Sequence, residues 1–248
     1  MRSPARNAIA VALAGAALAA GFGLGSAAAS SKHGGPGFNP NRFGRHSNRV
    51  DNPWFPLPAG RTLVYAGNEG GTPAQDLFTV THKTKLIAGV RARVVHDRVI
   101  HGGRVTERTS DWYAQDKSGT VWYLGEATAE LNSKGKVIST EGSFTAGRDG
   151  AKGGIFMPAN PQVGQSFKQE DLKGQAEDRF KILSLSASVT TPAVTSQEAI
   201  LTQETTPLEP GIVDHKYYVQ GVGTVLEDTI QGVPAGSERL QLVSIQDG

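Results

Sequence analysis

The sequence predicts an all-β protein, a single antiparallel β-barrel or barrel-like sandwich, and three observations carry that reading. About a dozen short runs rich in Val, Ile, Thr, Tyr and Phe alternate with turn signals. No stretch holds an amphipathic helical period over ten residues or more, so little helix is expected. The 31 glycines are spread along the chain, as the bulges and corners of a curved sheet require.

The chain does not begin with a strand. Residues 1–29 place Arg2 and Arg6 before an apolar run from Ala8 to Leu24 and end in small residues. That is the layout of a secretory signal peptide, with the mature N-terminus expected near Ser30. The run is short for a membrane span and weakened by Gly15, Gly21 and Gly23, so cleavage leaves no membrane span. Residues 30–52 are dominated by Gly, Pro, Asn and Ser and read as a disordered linker. It is basic, with Lys32, Arg42, Arg45 and Arg49 against Asp51, and a basic arm of this kind suits contact with an anionic cell-wall polymer. A single β domain is expected over 53–248. Its entry, NPWFPLP (52–58), is held extended by prolines, and Trp54 and Phe55 are expected to plug one end of the sheet.

Strand runs follow at 61–67, 76–89, 90–101, 104–115 and 120–125, while EATAELN (126–132) is given at most one helical turn. Further runs lie at 136–144, 165–172, 176–185, 198–205, 213–220, 224–230 and 237–245. Consecutive strands at this spacing argue for a lipocalin-like meander. Gly102-Gly103 is a two-residue turn that pairs His101 with Arg104, and hence Arg98 with Glu107. Asp116-Lys117-Ser118-Gly119 suits a turn that pairs Tyr113 with Tyr123. In that register His96, Arg98, Glu107, Asp111, Tyr113 and Tyr123 share the inner face, while Trp112, Trp122 and Leu124 form an outer patch.

Composition narrows the function. Of 25 Lys and Arg residues, Arg2 and Arg6 leave with the signal, so 23 Asp and Glu balance the rest and nucleic acid is not an expected partner. The absence of cysteine excludes disulfides, thiolate metal sites, a Cys nucleophile and a lipoprotein anchor. No catalytic or nucleotide-binding motif is present, and no close pair of histidines has metal-ligand spacing, so neither metal nor cofactor is expected. What remains is a set of ionisable and aromatic residues at inward-looking positions. Asp111, Tyr113 and Tyr123 come from the hairpins, Glu141 from EGSF, and Asp178 from the face of Phe180. Taking Lys216 as solvent-facing adds His215 and Tyr217.

Several stretches, NPWFPLPAG (52–60), DWYAQDKSGTVWYLGE (111–126), EGSFTAG (141–147) and HKYYVQGVGTV (215–225), resemble a group of uncharacterised secreted bacterial proteins. The resemblance runs over nearly all of the chain after Asn52. It implies a secreted or envelope protein built as one domain, and it implies no reaction.

Three functions suit these residues. The first is non-catalytic binding of a small or saccharide-like ligand at a barrel mouth. The second is a carbohydrate-active hydrolase or lyase using Asp111 and Glu141 with His215 and Tyr217. The third is a structural envelope protein in which the polar cluster only fixes sheet register.

Overall fold

A computed structural model describes residues 36–248, so the signal peptide expected over 1–29 and the start of the linker lie outside the described residues. A short 3-10 turn at Pro40–Arg42 precedes fifteen strands. The first seven are β1 (Thr62–Glu69), β2 (Thr72–Ile87), β3 (Val90–His101), β4 (Arg104–Gln115), β5 (Val121–Leu131), β6 (Val137–Ser139) and β7 (Phe144–Thr145). Then come β8 (Lys152–Met157), β9 (Ser166–Lys168), β10 (Glu170–Asp171) and β11 (Arg179–Thr190). β12 (Thr195–Thr205), β13 (Val213–Val219), β14 (Gly223–Gln231) and β15 (Arg239–Gln246) complete the chain.

All pair antiparallel in the order β10-β8-β5-β4-β3-β2-β1-β15-β14-β13-β12-β11-β9, with β6 and β7 hung on β5. The two ends of this order are neighbours in sequence, separated by Gln169 alone. One segment therefore pairs with β11 through 166–168 and with β8 through 170–171, and the sheet becomes a nearly closed barrel. The Gln169 N–H donates to the Asp178 carbonyl at 2.8 Å across this seam. Gly154 on β8 lets the segment come so close, because a Cβ there would stand 2.0 Å from the Gln169 carbonyl oxygen. Gly154→Ala is expected to cost about 1–3 kcal/mol of overpacking. In thermal melting it should lower Tm by several degrees, while Gly44→Ala, whose Cβ meets nothing within 4 Å, leaves Tm unchanged.

The interior is aromatic at one end. Phe55, 2% exposed, enters from the Pro-rich segment and packs 4.3 Å from Phe156 and 5.2 Å from Tyr113, as a plug should. Trp54 packs half-buried beside it. On the outer wall Trp112, Trp122 and Leu124 form the expected patch, and the chain ahead of the barrel covers it. Phe38 and Phe43 lie 5.9 and 6.0 Å from the Trp122 ring. Asp116 accepts from Arg42 at 2.9 Å and from the Trp122 indole at 3.1 Å.

Residues 36–52 are thus part of the packed body and not the disordered linker expected over 30–52. Two phenylalanines in a segment otherwise rich in Gly, Pro and Asn are enough to anchor it on an apolar wall. One other expectation changes, and one strand is added. Past a bulge at Gly125 the residues 126–131 continue β5, and KGGIFM, where no strand run was expected, forms β8, whose residues after Lys152 are all buried and so show no alternation.

The Gly102-Gly103 turn pairs His101 with Arg104 as expected. One residue later β4 bulges, so that Ile100 faces Val105 but Val99 faces Glu107. Thr106, the extra residue, is held by His101 Nδ1 at 2.9 Å. Every pairing beyond is displaced by one. Arg98 therefore lies opposite Arg108, not Glu107, and Val95, Asp97 and Val99 take the inner face. The expected Arg98–Glu107 pair does not form. Tyr113 faces Tyr123 as the second turn predicts.

Candidate functional site

Beyond the aromatic plug the inner wall turns acidic. Inward positions carry Asp76 on β2, Asp97 on β3, Asp111 on β4 and Glu126 on β5, each no more than 2% exposed. Glu170 on β10 continues the ring across the seam, and Glu204 on β12 and Glu227 on β14 bring it round. Tyr65 on β1 closes it, lying in the field of Asp76 and Asp97 on one side and of Glu227 and Lys216 on the other. Lys216 is the one Lys or Arg buried among the described residues. Its Nζ stands 2.8 Å from Glu204 Oε2 and 3.6 Å from Glu227 Oε2.

One cation cannot neutralise this ring, so protons must. Burial pushes Asp76 up to about 7 and Glu227 to about 8. Burial, reinforced by Glu107, takes Glu69 to about 9, and Glu107 itself rises to about 7. Asp97, Asp111, Glu126 and Glu170 are held well above the carboxylate range, first by burial and then by one another. For Lys216 burial works against the charge, but Glu204 and Glu227 outweigh it and its proton is held more tightly than usual.

Asp76 and Asp97 lie in each other's field, and no donor reaches any of their four carboxyl oxygens. The Tyr123 hydroxyl lies 2.7 Å from Asp111 Oδ1 and 3.0 Å from Glu126 Oε2. It has one proton to give, so one of the two carboxyls must donate back to the phenol oxygen. The left-handed Gly125 (φ 122°) builds this triad, because its bulge sets Glu126 opposite Asp111. Glu204 is better supplied, with the Tyr218 hydroxyl at 3.2 Å and Thr202 at 3.1 Å.

Donors are short at the seam as well. Both carboxyl oxygens of Glu170 and both polar ends of the Gln169 amide are buried with no hydrogen-bond partner, as are the carboxyl oxygens of Glu69, Asp76 and Asp97. The belt meets solvent at a cleft between β1, β14 and β15, lined by Asn68, Glu69, Glu227, Thr229 and Arg239, with room for about one water.

The predicted site residues divide. Asp111, Tyr113 and Tyr123 are inside, each fully buried. Asp178 joins them, its charge reaching Glu126 and Glu170. Glu141 lies on an exposed turn. His215 and Tyr217 are on the outer side of β13, because Lys216, facing Glu227 across the ladder, takes the inner position instead. The inference that a lysine faces solvent fails here because two carboxylates compensate its burial. Asp111, Glu141, His215 and Tyr217 therefore do not assemble into one acid/base site.

Asp76 and Glu227 were legible as acids alternating with apolar residues, Asp76 with Phe78 and Val80, Glu227 with Val225. Asp97 was hidden by the bulge at Thr106. Glu126 was hidden by the bulge at Gly125.

No protein-family model and no curated protein matches the chain. Among solved structures, a candidate exported protein with a YmcC-like fold from Bacteroides fragilis aligns at 11% identity, covering 78% of this chain and 99% of that chain with a TM-score of 0.43. A candidate lipoprotein from Parabacteroides distasonis aligns at 11% identity over 78% of this chain and 98% of its own, with a TM-score of 0.39. No helix among the described residues is long and apolar enough to cross a membrane.

Proposed function

We propose that the protein is an exported, non-catalytic binding barrel whose acidic interior receives the hydrogen-bond-donating end of a small ligand, an amine or a hydroxyl-rich, saccharide-like group. The observation that carries this reading is the unsupplied seam, Glu170 and Gln169, in an interior otherwise crowded with acceptors. Native interiors leave few buried polar groups without partners, and those they leave call for an explanation. A network kept only for register would be expected to balance its charges, whereas this one is short of donors. A ligand bearing ammonium or hydroxyl groups supplies what is missing.

Thermal-shift screening of simple amines, amino sugars and neutral sugars at pH 6 and pH 8 tests this. A ligand at one hundred times its Kd should add about 2.7 kcal/mol of stability. Glu170→Gln should abolish the shift. No shift with any of these compounds, together with a Glu170→Gln variant that melts higher than the parent, would show that the belt is structural.

A further inference from the structure

The near-neutral charge of the chain conceals a segregation. Carboxyls line the inside of the barrel, and cations gather on the outer wall of β2, β3 and β4. Arg98 and Arg108 stand directly opposite each other across β3 and β4, both exposed. His96 lies two residues from Arg98 on the same outer face, and burial together with Lys83 and Arg98 lowers its proton affinity, which places both cations beside it. Lys85 extends the group, its Nζ 3.2 Å from the centre of the Trp112 ring, and Arg148 lies within its field.

Among the described residues no carboxylate comes within 4.0 Å of Lys83, Lys85, Arg98, Arg108 or Arg148. Other exposed cations, Arg179 and Lys181 among them, also lack a carboxylate within 4.0 Å, so what sets this face apart is the direct opposition of Arg98 and Arg108 with further cations beside them. Like charges directly opposed on a sheet cost stability. A fold that leaves Arg98 and Arg108 opposed and unpaired gains nothing from them by itself. The outward side chains next to them on β4 and β5 are small, Ser110, Ala127 and Ala129, so both guanidinium forks are open to a partner.

We propose that this outer face is a docking surface for a linear polyanion bearing phosphate charges. Arginine presents a planar fork that binds phosphate oxygens two at a time. Cations two residues apart on a strand are about 6.6 Å apart, and those on neighbouring strands about 4.8 Å, so an extended chain of charges can meet several in turn. Leu86 is exposed beside Lys85, but one such side chain gives a bilayer little apolar surface to bury, and nucleic acid bases would need exposed aromatic rings to stack on. The Trp112 ring lies buried under Lys85. The proposal does not depend on what the interior binds.

The test is binding of fluorescently labelled long-chain inorganic polyphosphate by the mature full-length protein across a salt series. The double variant Arg98→Gln/Arg108→Gln should bind at least tenfold more weakly. Its plot of log affinity against log salt should be flatter by about 1.4, as expected for two lost phosphate contacts. Its Tm should hold or rise, because a like-charge pair is relieved. Arg179→Gln/Lys181→Gln on the outer face of β11 removes the same charge and should leave binding within twofold. The proposal is overturned if the β11 variant loses as much, if the first variant binds like the parent, or if phosphatidylglycerol vesicles or single-stranded DNA bind more tightly than polyphosphate.

Discussion

Between pH 5 and pH 9 the melting temperature is expected to fall by about 10 °C, the reverse of the acid lability that salt-bridged proteins show. The sign follows from the belt. A carboxyl whose affinity for protons is raised by folding favours the folded state while it is protonated. Its contribution is complete below its ordinary range and is lost as the pH rises through its folded value. Asp76, lifted from 3.8 to about 7, alone accounts for a loss on the order of 3 kcal/mol between those limits. Glu227 and Glu69 extend the decline to about 8 and about 9. The groups interact, so their losses do not add. At the acid end Asp116 acts oppositely. Burial would raise it, but Ser118, Trp122 and Arg42 outweigh burial and hold it ionised, so its contribution disappears on strong acidification. Melting curves at unit pH intervals check the profile, and a curve that is flat or rises from pH 5 to pH 9 contradicts it.

The second large effect is expected at Lys216. Replacing it with Met keeps the volume but removes the cation that Glu204 and Glu227 share. Breaking a buried pair from one side strands the partner, at a cost of about 3–5 kcal/mol. The loss should be greatest at pH 8 and smaller at pH 5, where a proton can replace the ammonium. Adding Glu204→Gln to Lys216→Met should restore much of the stability, since the stranded charge is then gone. Urea unfolding of the three proteins at both pH values measures this. Equal losses at the two pH values, or no rescue, would show that Lys216 acts through packing instead.

The barrel was largely legible because its signals are local. Turn chemistry at Gly102-Gly103 and at Asp116–Gly119 fixes two hairpins, and both turns form where the residues place them. The site was less legible because which face a residue occupies depends on bulges, and a bulge is one residue in a ladder of twelve. Thr106 is an ordinary strand residue in sequence, yet its insertion exchanges Arg98 for Asp97 at the barrel wall. The alternation His215–Tyr218 is symmetrical in apolar content. Only the carboxylates of β12 and β14 decide that Lys216 and Tyr218 go inside. Tyr113 and Tyr123 were found because no bulge separates them from their turn.

A folded barrel that stores protons on its inner wall must release them when it unfolds, and proton exchange on unfolding measures this. Unfolded in urea at pH 7 in a weakly buffered solution, the ligand-free protein should release two or more protons per molecule. Glu69 and Glu227, at about 9 and about 8, remain protonated when folded at that pH and ionise when exposed, and Asp97, Asp111, Glu126 and Glu170 are shifted in the same direction. No release, or net uptake of protons, would mean that the belt is ionised in the native state and that the account of its chemistry is wrong.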